Sequence, residues 1–454
     1  MIVCMASAVL KRTVAITAVL AAMVLVVLDG AIVNVALPTM GRALHTTPAM
    51  AVWVVTAYQS ALVMVLLPCA ALGESLGHRR VFRAGVVIFI LASGLCALSP
   101  SMPWLIAARF LQGFGGAALM ALGLALLRFV VPDHQVAAAI SWTAMVVALT
   151  SAAGPALGAA ILSAASWPWL FAVNVPVGVF VLLAARALPD VKGSARPLDL
   201  LSALLNAAAF AAFVLGAELL PARTAAALVL LVVAGTAMTA LVRREMPKEA
   251  PLIPLDLLRS HSFRVSVTAS VLCFSGMTIG MVALPFYLQH GLAQDAWRTG
   301  LYLTPWPVMT AIAAPVTGRF ANQASSAWLC TVGGVVLTVG LLACALWPLR
   351  GHALPLALFT TTCGLGFGLF QVPNNRNMLL SAPRERSGAA GGMQGTARLT
   401  GQTVGAIIMT LLFTITPVDA APRIGLAAAS LLTLAAGLVS AQRRDPRAIR
   451  GVLP

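Results

Sequence analysis

Asp29 is the residue of this chain with the clearest chemical meaning. It lies inside an apolar run from Thr13 to Pro38, and an ionisable side chain within a membrane is costly unless it faces a hydrated cavity or a partner. A carboxyl group in such a place can bind and release a proton or hold a cation. The other Asp and Glu residues fall at or near the ends of apolar segments or in loops, so Asp29 is the leading candidate for such chemistry.

Two arginines, Arg109 and Arg398, also fall inside apolar segments. Arg109 is about five residues, or ~7 Å, from the outer end of its segment, whereas Asp29 is about sixteen residues, or ~24 Å, from the inner end of its own. Since the hydrocarbon core is ~30 Å thick, both residues lie at a similar depth in its outer half. We therefore predict that Asp29 and Arg109 approach each other across a cavity. The alternative for Arg109 is that its side chain extends to the membrane surface. For Arg398, near the middle of its segment, a helix-bridging role and a direct functional role are both open.

The elements that must position these residues are membrane-spanning helices. Hydrophobic residues make up 60% of the 454 residues and charged residues 9%, which excludes a water-soluble fold around one core. About fourteen apolar segments are long enough to cross ~30 Å of hydrocarbon and too continuous for barrel strands, so we predict an all-α polytopic membrane protein. The segments are 13 to 38, 49 to 72, 81 to 98, 103 to 128, 137 to 163, 168 to 187, 198 to 219, 223 to 243, 264 to 289, 298 to 318, 326 to 347, 353 to 375, 389 to 415 and 422 to 441.

The net charge of +16 does not indicate nucleic-acid binding, because the basic residues mark one side of the predicted membrane. With the amino terminus inside, 22 of the 29 Lys and Arg residues lie at inner ends or in inner loops, and five lie in outer loops. The positive-inside rule therefore places both termini in the cytoplasm. We expect a multi-pass protein of the plasma (inner) membrane, in contact with lipid.

Two polar interruptions divide the chain. Residues 190–199 and 243–264 are charged and contain proline, and they predict domains at 1–190, 191–250 and 251–454. The middle domain holds two spans, and each flanking domain holds six. Transporters built from two repeated halves have such a plan and bind substrate where the halves meet.

The first two segments carry specific motifs. The sequence LDGAIVNVALP from Leu28 to Pro38, with Trp53, Thr56, Ala57 and Tyr58, resembles the opening helices of the major facilitator superfamily. Within it, the chain resembles the fourteen-span drug:proton antiporters of the multidrug and quaternary-ammonium resistance type, over nearly its whole length. The resemblance implies the major facilitator fold, with two six-helix bundles and two extra central helices.

The loop from Ala70 to Arg80 is similar to the superfamily's signature loop, Gly-x-Leu-x-Asp-Arg-x-Gly-Arg-Arg. Glu74 replaces the aspartate, and two of the basic positions are lost. In the family this loop forms a charge latch at the cytoplasmic gate, where a carboxylate near a helix end pairs with arginine; the alternative is a solvated turn that sets topology. The gate residues implied here are Glu74, Gly77, Arg79 and Arg80.

The fourth segment resembles the family's motif of an intramembrane arginine followed by glutamine and glycines. Arg109, Gln112, Gly113 and Gly116 fall on one helical face. The glycines allow another helix to approach closely, and the arginine requires a partner. We assign Asp29 and Arg109 to proton coupling on this basis.

The fifth segment contains Gly154, Pro155 and Gly158, close to the motif that marks exporters in this superfamily. Proline bends the helix, and the glycines keep one side thin for packing that seals the cavity or slides. We therefore assign these three residues to conformational gating. Asn174, in the following motif WPWLFAVNVP, is interpreted as structural.

In the second half, one face of the thirteenth segment is polar or small over several turns. Gly391, Gln394, Gly395, Arg398 and Gln402 share this face, which cannot point at lipid. The predicted substrate cavity is accordingly lined by Asp29, Asn34, Tyr58, Gln112, Gln394, Arg398 and Gln402.

The function predicted is proton-coupled multidrug efflux by alternating access, with lipophilic, cationic substrates. A cation would bind ionised Asp29 and a proton would release it, so each weakens the other. Alternatives are an exporter or importer of a specific metabolite, an uncoupled facilitator and a non-transporting sensor. The sequence lacks a metal-spaced His cluster, an intramembrane acid pair and a phosphate loop, so no enzyme is expected. We expect no cofactor beyond the proton gradient, no nucleic-acid partner and a monomer.

Overall fold

Helices form nearly all of the protein in the computed structural model, which describes residues 2–190, 199–248, 256–320, 325–348, 352–382 and 387–443. Within these ranges there is no β-strand. The helices are α1 (Ile2–Ala43), α2 (Pro48–Leu76), α3 (His78–Ala97), α4 (Met102–Val130), α5 (Asp133–Ala164), α6 (Trp169–Ala172), α7 (Asn174–Ala184), α8 (Leu200–Leu219), α9 (Thr224–Glu245), α10 (His261–Phe286), α11 (Ala296–Leu303), α12 (Pro305–Phe320), α13 (Ser326–Leu346), α14 (Leu354–Leu380), α15 (Ser387–Ile415) and α16 (Ala421–Ala441).

The predicted all-α polytopic fold is confirmed. In the described part of the chain, twelve helical stretches are long and apolar enough to cross a membrane. The fifth predicted span corresponds to α5, in which Leu149–Ala164 is a shorter apolar stretch. The tenth is divided between α11 and α12 at Thr304, where Pro305 and Pro307 have no backbone N–H to donate to the preceding turn.

The pair α8 and α9 contacts both halves of the protein through α8. These two helices pack against each other, and α8 also packs against α2 and α15. Asn206 Nδ2 donates to the Met64 carbonyl at 2.7 Å, and the Glu218 carboxyl group contacts the Thr410 hydroxyl group. The predicted domain boundaries at 190/191 and 250/251 adjoin segments outside the described residues, and the three-domain division stays a prediction.

One hydrophobic cluster contains residues of both halves, and its first-half members lie toward the predicted outer side. Leu37 and Phe171 of the first half are buried there with Tyr287 and Trp306 of the second. On the predicted inner side, each half has a separate cluster, although Leu399 of α15 packs into that of the first half. The structure is therefore closed on the predicted outer side.

Two glycines bring α5 close to α1 within the first half. A Cβ atom on Gly154 would lie 2.3 Å from the Cβ of Ala31, and one on Gly158 would lie 3.1 Å from the Ile32 Cα. The close packing predicted for these glycines of α5 is thus present, against α1, while their gating role, like that of Pro155, stays a prediction.

A hydrogen-bonded link connects the halves at the same level. Arg42 Nη2 donates to Gln289 Oε1 at 3.2 Å, and Gln289 Nε2 donates to the Val35 carbonyl at 3.1 Å. This side-chain amide connects the last part of α1 to the π-helical turn Tyr287–Gly291 that follows α10.

The turn of the predicted signature loop depends on Gly77. Its φ angle is 99°, a conformation that side chains with a Cβ rarely adopt, and its N–H donates to the Gly73 carbonyl at 3.0 Å. The loop therefore reverses the chain sharply between α2 and α3. The charge latch of Glu74 with Arg79 and Arg80 stays a prediction.

A charged cluster connects the beginning of α8 to the end of α9. Asp199 caps α8 by accepting from the Ser202 N–H at 3.0 Å, and it also accepts from Lys248 and from Arg244 at 3.3 Å. Partial burial opposes ionisation of Asp199, but the Lys248, Ser202 and Arg244 hydrogen bonds outweigh it and hold the pKa of this carboxyl below its usual range. The cluster therefore favours the ionised acid in the folded state.

Replacing Asp199 with asparagine is expected to lower stability at neutral pH by up to about 1 kcal/mol, since asparagine keeps the cap but loses the charge. A depressed folded-state pKa contributes stability above the unfolded pKa and loses it as pH falls through the folded pKa. The difference between the two proteins should therefore shrink in acid, in thermal denaturation of purified protein. Asp295→Asn is the matched control, because Asp295 caps α11 and its ion pair with Arg298 is exposed and longer, at 3.8 Å, so its loss should change stability less. A difference that grows in acid would contradict this account.

Candidate proton-coupling site and substrate cavity

The Asp29 carboxylate lies inside the first helix bundle with no exposed area. Its Oδ2 accepts a hydrogen bond from Arg109 Nη1 at 2.6 Å. Its Oδ1 accepts from Gln112 Nε2 at 3.0 Å and from Asn174 Nδ2 at 2.7 Å. Three donors on α4 and α7 thus stabilise the ionised acid, and the contact between Asp29 and Arg109 predicted from depth is present.

Arg109 is held in place on every side, with 1% of its surface exposed. Its Nε donates to the Val54 carbonyl at 3.1 Å, and its Nη1 also donates to Gln112 Oε1 at 2.6 Å. The guanidinium lies over the Tyr58 ring at 4.1 Å from the centroid, a favourable cation–π distance. Arg109 therefore does not extend to the membrane surface.

Gln112 connects the ion pair to α3. Besides its contacts with Asp29 and Arg109, its Nε2 donates to Ser93 Oγ at 2.8 Å. The oxygen and the nitrogen of this side-chain amide both form hydrogen bonds, as a buried polar group requires. Ser93 was not predicted from the sequence, because a serine in an apolar helix has no distinguishing pattern.

Two glycines of α4 bring the arginine within reach of Asp29. A Cβ on Gly113 would lie 2.6 Å from the Tyr58 carbonyl oxygen, and one on Gly116 would lie 2.8 Å from the Tyr58 hydroxyl oxygen. Neither position has room for a side chain, so α4 packs directly on α2. The prediction that these glycines permit close helix approach is supported at both positions.

The prediction that Asp29 and Arg109 meet across a cavity is wrong for this conformation. The pair is surrounded by α1, α2, α3, α4 and α7. Gln112 and Asn174 contact the carboxylate, and they occupy the space where a cavity would lie. Asn174, interpreted as structural, contacts the acid directly. Of the residues predicted to line the cavity, Asp29, Tyr58 and Gln112 are buried in this site, whereas the partly exposed ones are Asn34, Gln394, Arg398 and Gln402.

Arg398 reaches from α15 toward the first half. Its Nη2 lies 3.9 Å from Met120 Sδ on α4, and the neighbouring Gly395 lies against Leu66 of α2, where an added Cβ would be 3.4 Å from that side chain. The face predicted to avoid lipid is thus turned toward the interface between the halves.

Asn374 and Asn377 bind within the second half. Asn374 Nδ2 donates to Ser270 Oγ at 2.6 Å, its Oδ1 accepts from Arg443, and Asn377 Nδ2 donates to Ser266 Oγ at 2.7 Å. These bonds fasten α14 to α10 and to the end of α16. The contacts that the structure gives these two residues therefore stabilise one half and do not cross between halves.

The sequence was compared with known proteins. Residues 19–406 match the Major Facilitator Superfamily. The chain is 44% identical over 427 residues, 92% of each chain, to the uncharacterized transporter YebQ of Escherichia coli. It is 30% identical to the tetracenomycin C resistance and export protein of Streptomyces glaucescens, over 87% of this chain and 74% of that protein. It is 28% identical to the riboflavin transporter RibZ of Clostridioides difficile, over 85% of both.

The architecture and the comparisons agree. Most of the chain matches one family of membrane transporters, and its helices are long and apolar enough to cross a membrane many times. The protein is thus a multi-pass membrane transporter and not an enzyme, and it belongs to the Major Facilitator Superfamily.

Proposed function

We propose that this transporter exports lipophilic small compounds in exchange for protons by alternating access. The observation that carries the proposal is the Asp29–Arg109 pair, a carboxylate without exposed area bonded to three donors. Buried ion pairs are often replaceable by apolar side chains without loss of stability, so a pair placed here favours a role for the charge itself. A carboxyl group that alternates between ionised and protonated states supplies that role.

Because the outer side is closed, we assign the Asp29–Arg109 ion pair to the step of the transport cycle that follows proton release. Asp29 takes up a proton when the outer side opens, and this neutralises the acid and breaks its attraction to Arg109. It releases the proton toward the inner side, and the ion pair reforms in the conformation described above. Because protonation and pairing exclude each other, proton binding and the conformational equilibrium are linked.

Export is favoured by the resemblance of Gly154, Pro155 and Gly158 to the motif that marks exporters in this superfamily. The name of the tetracenomycin C resistance and export protein agrees with this direction. The riboflavin transporter among the relatives supports a second candidate, transport of one specific metabolite. Membership of the fourteen-span antiporter family, a monomeric state, an inner-membrane location and cytoplasmic termini belong to the same proposal.

The prediction of a cationic substrate depends on an ionised Asp29 whose carboxylate faces the substrate. In this conformation Arg109, Gln112 and Asn174 occupy both carboxylate oxygens. A cationic substrate therefore has no accessible carboxylate at Asp29, and the charge of the substrate requires a separate argument.

The proposal is tested with inside-out vesicles that contain the purified transporter. An acidic lumen is expected to drive uptake of its substrates from a panel of lipophilic acids, neutral compounds and cations, and an uncoupler should abolish that uptake. Vesicles without the protein provide the reference. Uptake that ignores the pH gradient would indicate a facilitator, and uptake confined to right-side-out vesicles would indicate an importer.

A further inference from the structure

Arg398 is a cation without an anionic partner at the interface between the halves. Its side chain is half-buried, and its Nε is buried without a hydrogen-bond acceptor. Within the described ranges, no ion pair within 4.0 Å involves Arg398. A thioether, such as that of Met120 beside Nη2, is a weak acceptor, so the charge of this guanidinium is not compensated by the protein around it.

A second unused donor lies close to this guanidinium. The Tyr58 hydroxyl group is buried and has no hydrogen-bond partner. It lies against Gly116 of α4, whereas Arg398 contacts Met120 of the same helix. Gly116 and Met120 are separated by about one turn, or ~6 Å, so two unsatisfied donors from opposite halves of the transporter face the same strip of α4.

Among the described residues, no acid forms an ion pair with Arg398. Asp29 is fully buried, and its oxygens accept from Arg109, Gln112 and Asn174. Arg109 and Asp29 cancel each other in charge, which leaves Arg398 as an uncompensated positive charge. A buried charge is stabilised by an opposite charge that forms hydrogen bonds with it.

We infer that Arg398 and the Tyr58 hydroxyl group bind an acidic group of the transported compound, a carboxylate or a phenolate, between the two halves. The inference rests on the proposed function for the identity of the ligand as a transported substrate. The guanidinium provides the charge and a directional donor, and the tyrosine provides a second donor. Bound in this way, an acidic substrate connects α15 of one half to α2 of the other, and the site excludes lipophilic cations by charge.

The inference is tested by direct binding to the purified protein in neutral detergent. The probes are fluorescein, an anion at mildly alkaline pH, and a rhodamine methyl ester, a cation on the same ring system; fluorescence anisotropy reports both. Fluorescein should bind more tightly. Arg398→Gln should weaken fluorescein by at least about tenfold, and Tyr58→Phe by about threefold to tenfold, while Arg398→Lys should retain most of the affinity.

Two controls separate specific binding from loss of charge and from loss of stability. Arg223→Gln removes one charge from an exposed loop position and should leave fluorescein binding unchanged. Without ligand, Arg398→Gln should not lower the thermal stability, because it removes an unpaired buried charge; a loss of stability would instead indicate a helix-bridging arginine and overturn the inference. Tighter binding of the cation, equal binding of both dyes or no binding of fluorescein would overturn it too.

This experiment is separate from the test of proton coupling. Binding in detergent requires neither a pH gradient nor transport, so anion binding at Arg398 can hold even if uptake proves to be uncoupled. Conversely, coupled uptake with no preference for fluorescein would overturn the acidic-substrate inference and leave the proton-exchange proposal in place.

Discussion

Asp29→Asn is expected to reduce proton-driven uptake in inside-out vesicles to the level of vesicles without the protein. Asparagine cannot alternate between a charged and a neutral state, so the conformational cycle loses its link to the proton. The same change leaves Arg109 as an unpaired buried charge, and breaking a buried pair in this way costs about 3–5 kcal/mol. The variant should therefore also unfold at a lower temperature, and both effects are measured on one purified preparation.

The double variant Asp29→Asn with Arg109→Gln separates these two effects. Removing both charges should restore most of the stability, because no charge remains buried without a partner. Uptake should stay at background, because the titratable group is still absent. If Asp29→Asn alone still accumulates substrate against a pH gradient, Asp29 is not the coupling residue. If the double variant regains coupled uptake, the pair is purely structural.

The contact between Asp29 and Arg109 could be predicted because depth within a span is a one-dimensional property. Counting residues from the span ends placed both side chains at one level, and two opposite charges at one level in hydrocarbon have a strong reason to meet. The environment of the pair could not be predicted in this way. Whether Gln112 and Asn174 point at the acid or at a cavity depends on helix rotation and packing, which residue counts do not contain.

The fold was predictable for a similar reason. Length and apolar character determine which segments cross a membrane, and the predicted spans coincide with helices, including the two extra ones. The division of the tenth span at Thr304 has a sequence signal in Pro305 and Pro307. The position of α8 between α2 and α15 depends on which helix faces complement each other, and the single sequence contains no direct signal for it.

The closed outer side depends on a close contact at Gly300, and a larger side chain at this position is expected to destabilise the closed conformation. Gly300 of α11 lies against α5, where an added Cβ would be 2.2 Å from the Cβ of Ala159 and 2.8 Å from the Pro155 carbonyl oxygen. Gly300→Ala therefore forces α11 away from α5, at an overpacking cost of about 1–3 kcal/mol to the closed conformation. This corresponds to a shift of about 5-fold to 150-fold in the ratio of closed to open states.

Spin labels on the two halves measure this shift directly. Cysteines at the exposed positions Ala43 and Arg298 are expected to show longer distances in Gly300→Ala, by double electron–electron resonance in a background without the native cysteines. Gly235→Ala is the matched control, because Gly235 lies within α9 with open space around its Cβ position, so the alanine should only favour the helix. The same distances in all three proteins would mean that α5 and α11 stay together through the cycle, and the outer side would then have to open elsewhere. Longer distances in Gly300→Ala alone would show that the contact between Gly300 and α5 helps to close the outer side. The Arg42–Gln289 hydrogen bond would then be the next contact to remove by mutation.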